Sequence, residues 1–202
     1  MIIGLTGSSG SGKSVAANFF RNRGFYIMDF DKIARDVCAP GTPCLAELAE
    51  YFGSGIIAAD GSLMRKALGD MVFSDTKKLE TLNAITRKYI LAEAKKRRAE
   101  CESQGKDAVY DAPLLFEAGL DKECDFVIAV VADRQTRIER IMARDDISLD
   151  TACGRLDSQH PNDYYERRSD FCVHNDGTEN ELYAKLDDIL LKIEDGINDN
   201  HS

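Results

Sequence analysis

Long apolar runs are missing from this sequence. None approaches the ~20 residues a membrane-spanning helix requires, so no membrane partner is expected. The opening residues Met1-Ile2-Ile3-Gly4-Leu5-Thr6-Gly7 carry no basic region and break at glycine, so they read as something other than a secretory leader. Positive charge is in deficit: 26 Lys and Arg stand against 35 Asp and Glu, a formal net charge of −9. Neutralising a nucleic-acid backbone takes clustered cations, so no nucleic-acid partner is expected. A local pocket can still be positive enough for a small anion. Paired cysteine motifs are also absent. Cys38, Cys44, Cys101, Cys124, Cys153 and Cys172 form no C-x-x-C, and a chain of 202 residues folds without staples. Reduced, mostly buried thiols and a cytoplasmic location are therefore expected. His160, His174 and His201 lack metal-ligand spacing and there is no H-E-x-x-H, so no zinc cluster is expected.

What is present is the material of one soluble globule, with 44% apolar and 30% charged residues. The length allows one main domain with an inserted subdomain. Strand and helix patterns alternate. Short apolar runs predict buried strands at Ile2–Thr6, Phe25–Met28, Ala108–Tyr110, Phe126–Val131 and Phe171–Val173. Helices are predicted at Lys13–Arg23, Ile33–Val37, Asp133–Arg144, Leu149–Gln159 and Glu179–Glu194, with a frayed tail at Asn198–Ser202. The section from Cys44 to Gln104 reads as mostly helical, with turns at Gly53-Ser54-Gly55 and Asp60-Gly61, and with Asp75 capping a helix near Thr76. This pattern predicts an α/β fold, a parallel five-stranded sheet flanked by helices. Such sheets bind ligands beyond the carboxyl ends of their strands.

The first strand is followed by Gly7-Ser8-Ser9-Gly10-Ser11-Gly12-Lys13-Ser14, an ungapped G-x-x-x-x-G-K-[ST]. The glycines let backbone N–H groups converge on phosphate, and the following helix adds its positive end. Ser9, Gly10, Ser11, Gly12, Lys13, Ser14 and Val15 are the expected nucleotide contacts. Lys13 would neutralise the β- and γ-phosphates, and the Ser14 hydroxyl would ligate Mg²⁺. A dinucleotide fingerprint fits less well, because the glycines run G-x-x-G-x-G and the Lys-Ser pair has no task there.

Asp29 and Asp31 follow the second strand and would lie beside this cradle. A carboxylate there can accept the proton of an alcohol and align its oxygen. Asp29 can equally cap the next helix. Asp111, ending the third strand, can hold Mg²⁺ through a water. Leu114-Leu115-Phe116 reads either as core or as the apolar wall of an acceptor pocket. Arg134, Arg137, Arg140 and Arg144 share a helix face about 120° wide. Arg140 and Arg144 are assigned to a charge-neutralising lid, and Arg134 and Arg137 to an ordinary solvated face.

Nearly end to end, the chain resembles the dephospho-CoA kinase family. The specific segments are Asp29-Phe30-Asp31-Lys32-Ile33-Ala34-Arg35 and Asp111-Ala112-Pro113-Leu114-Leu115-Phe116-Glu117, in that order after the cradle. Leu82-Asn83-Ala84-Ile85, Arg140, Arg144-Asp145, Gln159, Asp170 and Asn175-Asp176-Gly177 add to the likeness. The resemblance implies ATP-dependent phosphorylation of the ribose 3′-hydroxyl of dephospho-CoA, giving CoA and ADP, with ATP and Mg²⁺ as cofactors. It implies a P-loop NTPase-type core at about 1–30, 106–135 and 169–202, a helical acceptor-side subdomain at about 31–105 and a small lid at about 136–168. By matched position Asp31 would be the base, Lys13 and Arg140 would steady the transferred phosphoryl, and Asn175 would lie near the adenine. Asp29, Ser14 and Asp111 would serve the metal, and Arg35, Leu114 and Phe116 the acceptor. A monomer or weak oligomer is expected. The helical section would close over the acceptor, with Gly53, Gly55 and Gly61 as hinge candidates.

The chain departs from the family pattern at four places: Ser8-Ser9 replaces Gly-Ile, Phe30 replaces a small residue, Arg87-Lys88 replaces His-Pro, and Tyr165 stands where a lysine is common. The rivals are a nucleoside or nucleotide kinase, which would lack the two specific segments, and a GTP-gated switch, for which no N-K-x-D is present.

Overall fold

The computed structural model describes residues 1–199. The chain alternates β1 (Ile2–Thr6), α1 (Lys13–Asn22), β2 (Tyr26–Asp29) and α2 (Phe30–Asp36). A helical run follows: α3 (Pro43–Phe52), α4 (Arg65–Val72) and α5 (Thr76–Ser103). The alternation resumes with β3 (Ala108–Asp111), β4 (Phe126–Val131), α6 (Arg134–Asp145), α7 (Leu149–Asp157), α8 (Asn162–Glu166), β5 (Phe171–His174) and α9 (Glu179–Asp199). The strands form one five-stranded sheet in the order β2-β3-β1-β4-β5. The pairings of β1 with β3, β1 with β4 and β4 with β5 are parallel. Every residue of β1 is buried, as strands covered on both faces must be.

Two compact units divide the chain, one formed by residues 1–27 with the chain from Gly105 onward, the other by Met28–Gln104. In the first, Ile3, Leu5, Ile128, Val130 and Val173 of the sheet pack with Phe19 and Phe20 of α1 and with Leu182, Leu186 and Ile193 of α9. Side chains of this size contribute about 1.5–3 kcal/mol each when fully buried. In the second unit Cys44, Leu48, Ile56, Leu68, Val72 and Ile85 make a separate core. Thr42 and Asp75 cap α3 and α5, each side chain accepting a backbone N–H in the first turn.

Several expectations need correction. The second strand sits one residue later than expected, at Tyr26–Asp29. The helix after it begins at Phe30, capped by Asp29, the second of the two readings open for that carboxylate. The short helix α8 is unexpected, being too brief to show a periodicity. The helix expected to end at Glu194 runs on through Asn198 and Asp199, and the rest of the expected frayed tail lies outside the described residues. Gly53, Gly55 and Gly61 do not mark a unit boundary. All three lie inside the helical unit: Gly53 ends α3, Gly55 sits in the short helical turn Ser54–Ile56, and Gly61 lies in a turn closed by the Ile57–Leu63 bridge and by the bond from Ala58 N–H to Ser62 O.

Candidate active site

Parallel pairing aligns Leu5 with Asp111, Thr6 with Ala129 and Val131 with His174, so the loops after β1, β3, β4 and β5 leave from the same sheet edge. The loop from Gly7 to Gly12 turns sharply into α1. Gly10 and Gly12 take φ of +78° and +98°, values that side-chain-bearing residues avoid. A Cβ on Gly10 would stand 2.7 Å from the Arg137 carbonyl oxygen, and one on Gly12 would run into the Asn175 amide.

Four successive carbonyls of this loop are held, the first from within the loop and the next three from outside it. Ser8 O accepts the Ser11 N–H at 3.2 Å. Ser9 O accepts Arg137 Nε–H at 3.1 Å. Gly10 O accepts Arg140 Nη1–H at a longer 3.4 Å. Ser11 O accepts Asn175 Nδ2–H at 2.8 Å. The Ser9 N–H is also fixed, by Gln159 Oε1 at 3.0 Å. With the carbonyls turned outward, the N–H groups of Gly10, Gly12, Lys13 and Ser14 have no partner among the described residues. The Ser8 and Ser11 hydroxyls are buried and also without a partner. Four free donors at a helix N-terminus make an anion cradle.

The cations around the cradle reinforce it. Lys13 pairs with Asp111 at the end of β3. Arg137 is 5% exposed, donates also to Asn162 Oδ1 at 3.2 Å, and has no carboxylate partner among the described residues. Burial first, and the like charge of Arg134 after it, pull its pKa below the ordinary guanidinium value. Arg140 donates to Asn175 O at 2.9 Å and likewise forms no ion pair among the described residues. Two guanidinium groups without carboxylates beside a phosphate-sized cradle give a local positive field in a chain of net charge −9.

The remaining expected residues are distributed as follows. Ser14 is exposed in the first turn of α1, and Val15 packs on the core while its N–H bonds Gly12 O. Arg144 pairs with its neighbour Asp145 and makes no bond to the cradle among the described residues. Asn175 is buried, its side chain spent on the loop. Leu114 is exposed and lines a cavity of about 200 Å³ together with Gly7, Ser8, Ser9, Glu117 and His160. Leu115 is core, and Phe116 packs edge-on against Tyr164. Asp29, Asp31 and Arg35 belong to the helical unit. Asp29 accepts the Lys32 N–H at 2.8 Å as the α2 cap, while Asp31 and Arg35 are exposed on that helix. The ring of Phe30 is buried. Lys88 pairs with Glu47 at 2.8 Å, and Tyr165 is a core residue against Ala129 and Val131.

Arg137 is the main correction. It is not on a solvated face but holds the cradle, whereas Arg134 does lie on the surface, paired with Asp157 at 2.8 Å. The clue is its spacing from Ile141: residues four apart share a helix face, and Ile141 is fully buried. Asn162 was also missed. It bridges Arg137 to Ala132 O, which it reaches at 3.0 Å.

The sheet and its glycine loop define a P-loop kinase fold. The family profile CoaE, dephospho-CoA kinase, matches residues 1–181. A dephospho-CoA kinase of Corynebacterium glutamicum is 42% identical over 197 residues, 97% of this chain and 98% of the relative. Among solved structures, TT1252 from Thermus thermophilus aligns with a TM-score of 0.80 at 29% identity, covering 95% of this chain and 97% of the other. A dephospho-CoA kinase from Campylobacter jejuni aligns with a TM-score of 0.72 at 25% identity, covering 96% and 98%. The chain belongs to the dephospho-CoA kinase family.

Proposed function

We propose that the protein transfers the γ-phosphoryl group of ATP to the ribose 3′-hydroxyl of dephospho-CoA. The observation that carries this reading is the cradle itself: outward-held carbonyls, four free N–H donors, and Lys13, Arg137 and Arg140 around them. The new P–O bond forms at the 3′-oxygen while the bond to the β-phosphate oxygen breaks, and ADP leaves with that electron pair. Asp31 takes the hydroxyl proton and passes it to solvent. Lys13 and Arg140 stabilise the charge spread over the phosphoryl oxygens, and the cradle N–H groups hold the phosphates in line. Asn175 acts through the loop it holds.

Mg²⁺ fits the residues present. The Ser14 hydroxyl and the Asp111 carboxylate are hard oxygen donors, and Asp111 contacts Lys13 of the cradle. Asp29 is assigned to the same ion. When bound, the ion would neutralise phosphate charge. Leu114, Phe116 and Arg35 are assigned to the acceptor side. The lid assignment extends over about 136–168, the core over about 1–30, 106–135 and 169–202, and the acceptor-side subdomain over about 31–105. We place the enzyme in the cytoplasm, as a monomer or weak oligomer without nucleic-acid or membrane partners. The acidic total supports the first exclusion, and no described helix is long and apolar enough to cross a membrane.

The test is initial ADP release across a panel of alcohol acceptors. Dephospho-CoA should stimulate it far above nucleosides and nucleotides. A rate indifferent to dephospho-CoA would overturn the assignment.

A further inference from the structure

Away from the cradle, one group of side chains has no part in the reaction described above. Glu166 ends α8, and Cys172 and His174 lie two apart on β5, a spacing that places both on one side of the strand. The histidine spacing and the lack of H-E-x-x-H predict no zinc cluster. The fold supplies the third member. Tyr165 is buried against Ala129 and Val131 of β4, and Cys172 packs on the same cluster, so the end of α8 is anchored beside β5.

The three ligand atoms, a carboxylate oxygen, a thiol sulfur and an imidazole nitrogen, all lie within 4.8 Å of one another. His174 Nε2 is 3.4 Å from Glu166 Oε1. Ligands held 2.0–2.3 Å from a tetrahedral zinc ion stand about 3.3–3.8 Å apart. The His–Glu pair already has that spacing, and the sulfur needs to move by only about 1 Å, within reach of a small rotamer adjustment. Cys172 Sγ has no hydrogen-bond partner among the described residues. Lys185 Nζ donates to the His174 carbonyl at 2.6 Å, on the backbone side of the residue.

We propose that Glu166, Cys172 and His174 bind one divalent cation of the zinc class, with water completing a tetrahedral set. A plain His–Glu ion pair is the competing explanation, but such an exposed pair does not account for an unpartnered thiol gathered to the same point. Sulfur and imidazole select a borderline-soft ion over Mg²⁺. The ion is therefore distinct from the one that accompanies ATP, and none of its ligands belongs to the phosphate cradle. Its place gives it a structural consequence. His174 precedes Asn175, whose N–H bonds Val131 O and whose side chain holds Ser11 O, so an ion here would fix α8 to β5 one residue away from the loop's anchor.

The test uses the full chain with Co²⁺ and Zn²⁺ as probes. Wild type should take up one equivalent of Co²⁺ with a sulfur-to-metal charge-transfer band, and equimolar Zn²⁺ should abolish the band while a thousandfold excess of Mg²⁺ should not. C172S should remove the band. H174A, at an exposed position that leaves the core untouched, should weaken binding at least tenfold, and E166Q should weaken it less. Zn²⁺ should raise the melting temperature of wild type and not that of H174A, since a ligand that binds only the native state stabilises it. No band in wild type, a band surviving in C172S, displacement by Mg²⁺, or unchanged affinity in H174A would each overturn the site.

Discussion

Arg137 illustrates what a single side chain contributes to this fold. Its guanidinium is buried and spent on Ser9 O and Asn162 Oδ1, so it acts on phosphate through the loop. Removing a charge-assisted bond of about 1.5 kcal/mol should loosen the loop by roughly tenfold in affinity. Arg137→Ala is therefore expected to raise the KM for ATP about tenfold with a smaller fall in kcat, and Arg137→Lys to recover only part, since an ammonium lacks the planar fork. Steady-state kinetics beside thermal melts decide the matter. A lowered melting temperature with unchanged ATP KM would reduce Arg137 to a packing residue. Lys13 differs, because its charge meets the transferring group itself. Lys13→Ala should lower kcat by ~10²–10³, the scale for loss of one electrostatic stabiliser. Turnover at the wild-type level would remove Lys13 from the reaction.

Among the elements, α2 sets two carboxylates in different roles. Asp29 caps the helix, and asparagine caps as well as aspartate. Asp29→Asn should thus leave stability unchanged and weaken only the response of the rate to Mg²⁺, whereas Asp29→Ala should also cost about 1 kcal/mol. Asp31→Asn should lower kcat by ~10²–10⁴ with little change in ATP affinity, the range for loss of a general base. Mg²⁺ titrations of initial rate test both, and rescue of Asp31→Asn by excess Mg²⁺ would mean the two roles are reversed. Elements of this kind were largely legible in the chain. Ile2–Thr6 and Phe126–Val131 read as buried strands because nothing polar interrupts their centres, and Asp75 announced α5. What escaped was tertiary. Gln159 and Asn162 hold the loop and its arginine from about 150 and 25 residues away, and no local pattern encodes a partner at that distance. Arg140 and Arg144 read as a pair, yet the helix turns Arg137 and Arg140 toward the loop and leaves Arg144 to Asp145.

At the scale of the whole molecule, acid should be the main threat to stability. Hydrogen bonds from Arg144 and then Arg155 hold the Asp145 carboxyl well below its ordinary value. Those from Lys88 and Tyr89 lower Glu47, and that from Ser62 lowers Asp60. Each group binds its proton less readily folded than unfolded, so its contribution is present above about pH 4 and is lost as pH falls further. The melting temperature should drop between pH 5 and pH 3, less steeply in Asp145→Asn, and a flat calorimetric profile would contradict this. The cradle has a further consequence, for synthesis. Its residues leave the ribosome before the groups that hold it, Arg137, Arg140, Gln159 and Asn175, the last 164 positions after Ser11. Contacts of such separation form late, after long loops have closed. While those later residues are still being made, the nascent chain carries a complete phosphate-binding motif without a formed phosphate site, and ATP can assist folding only once β5 has emerged.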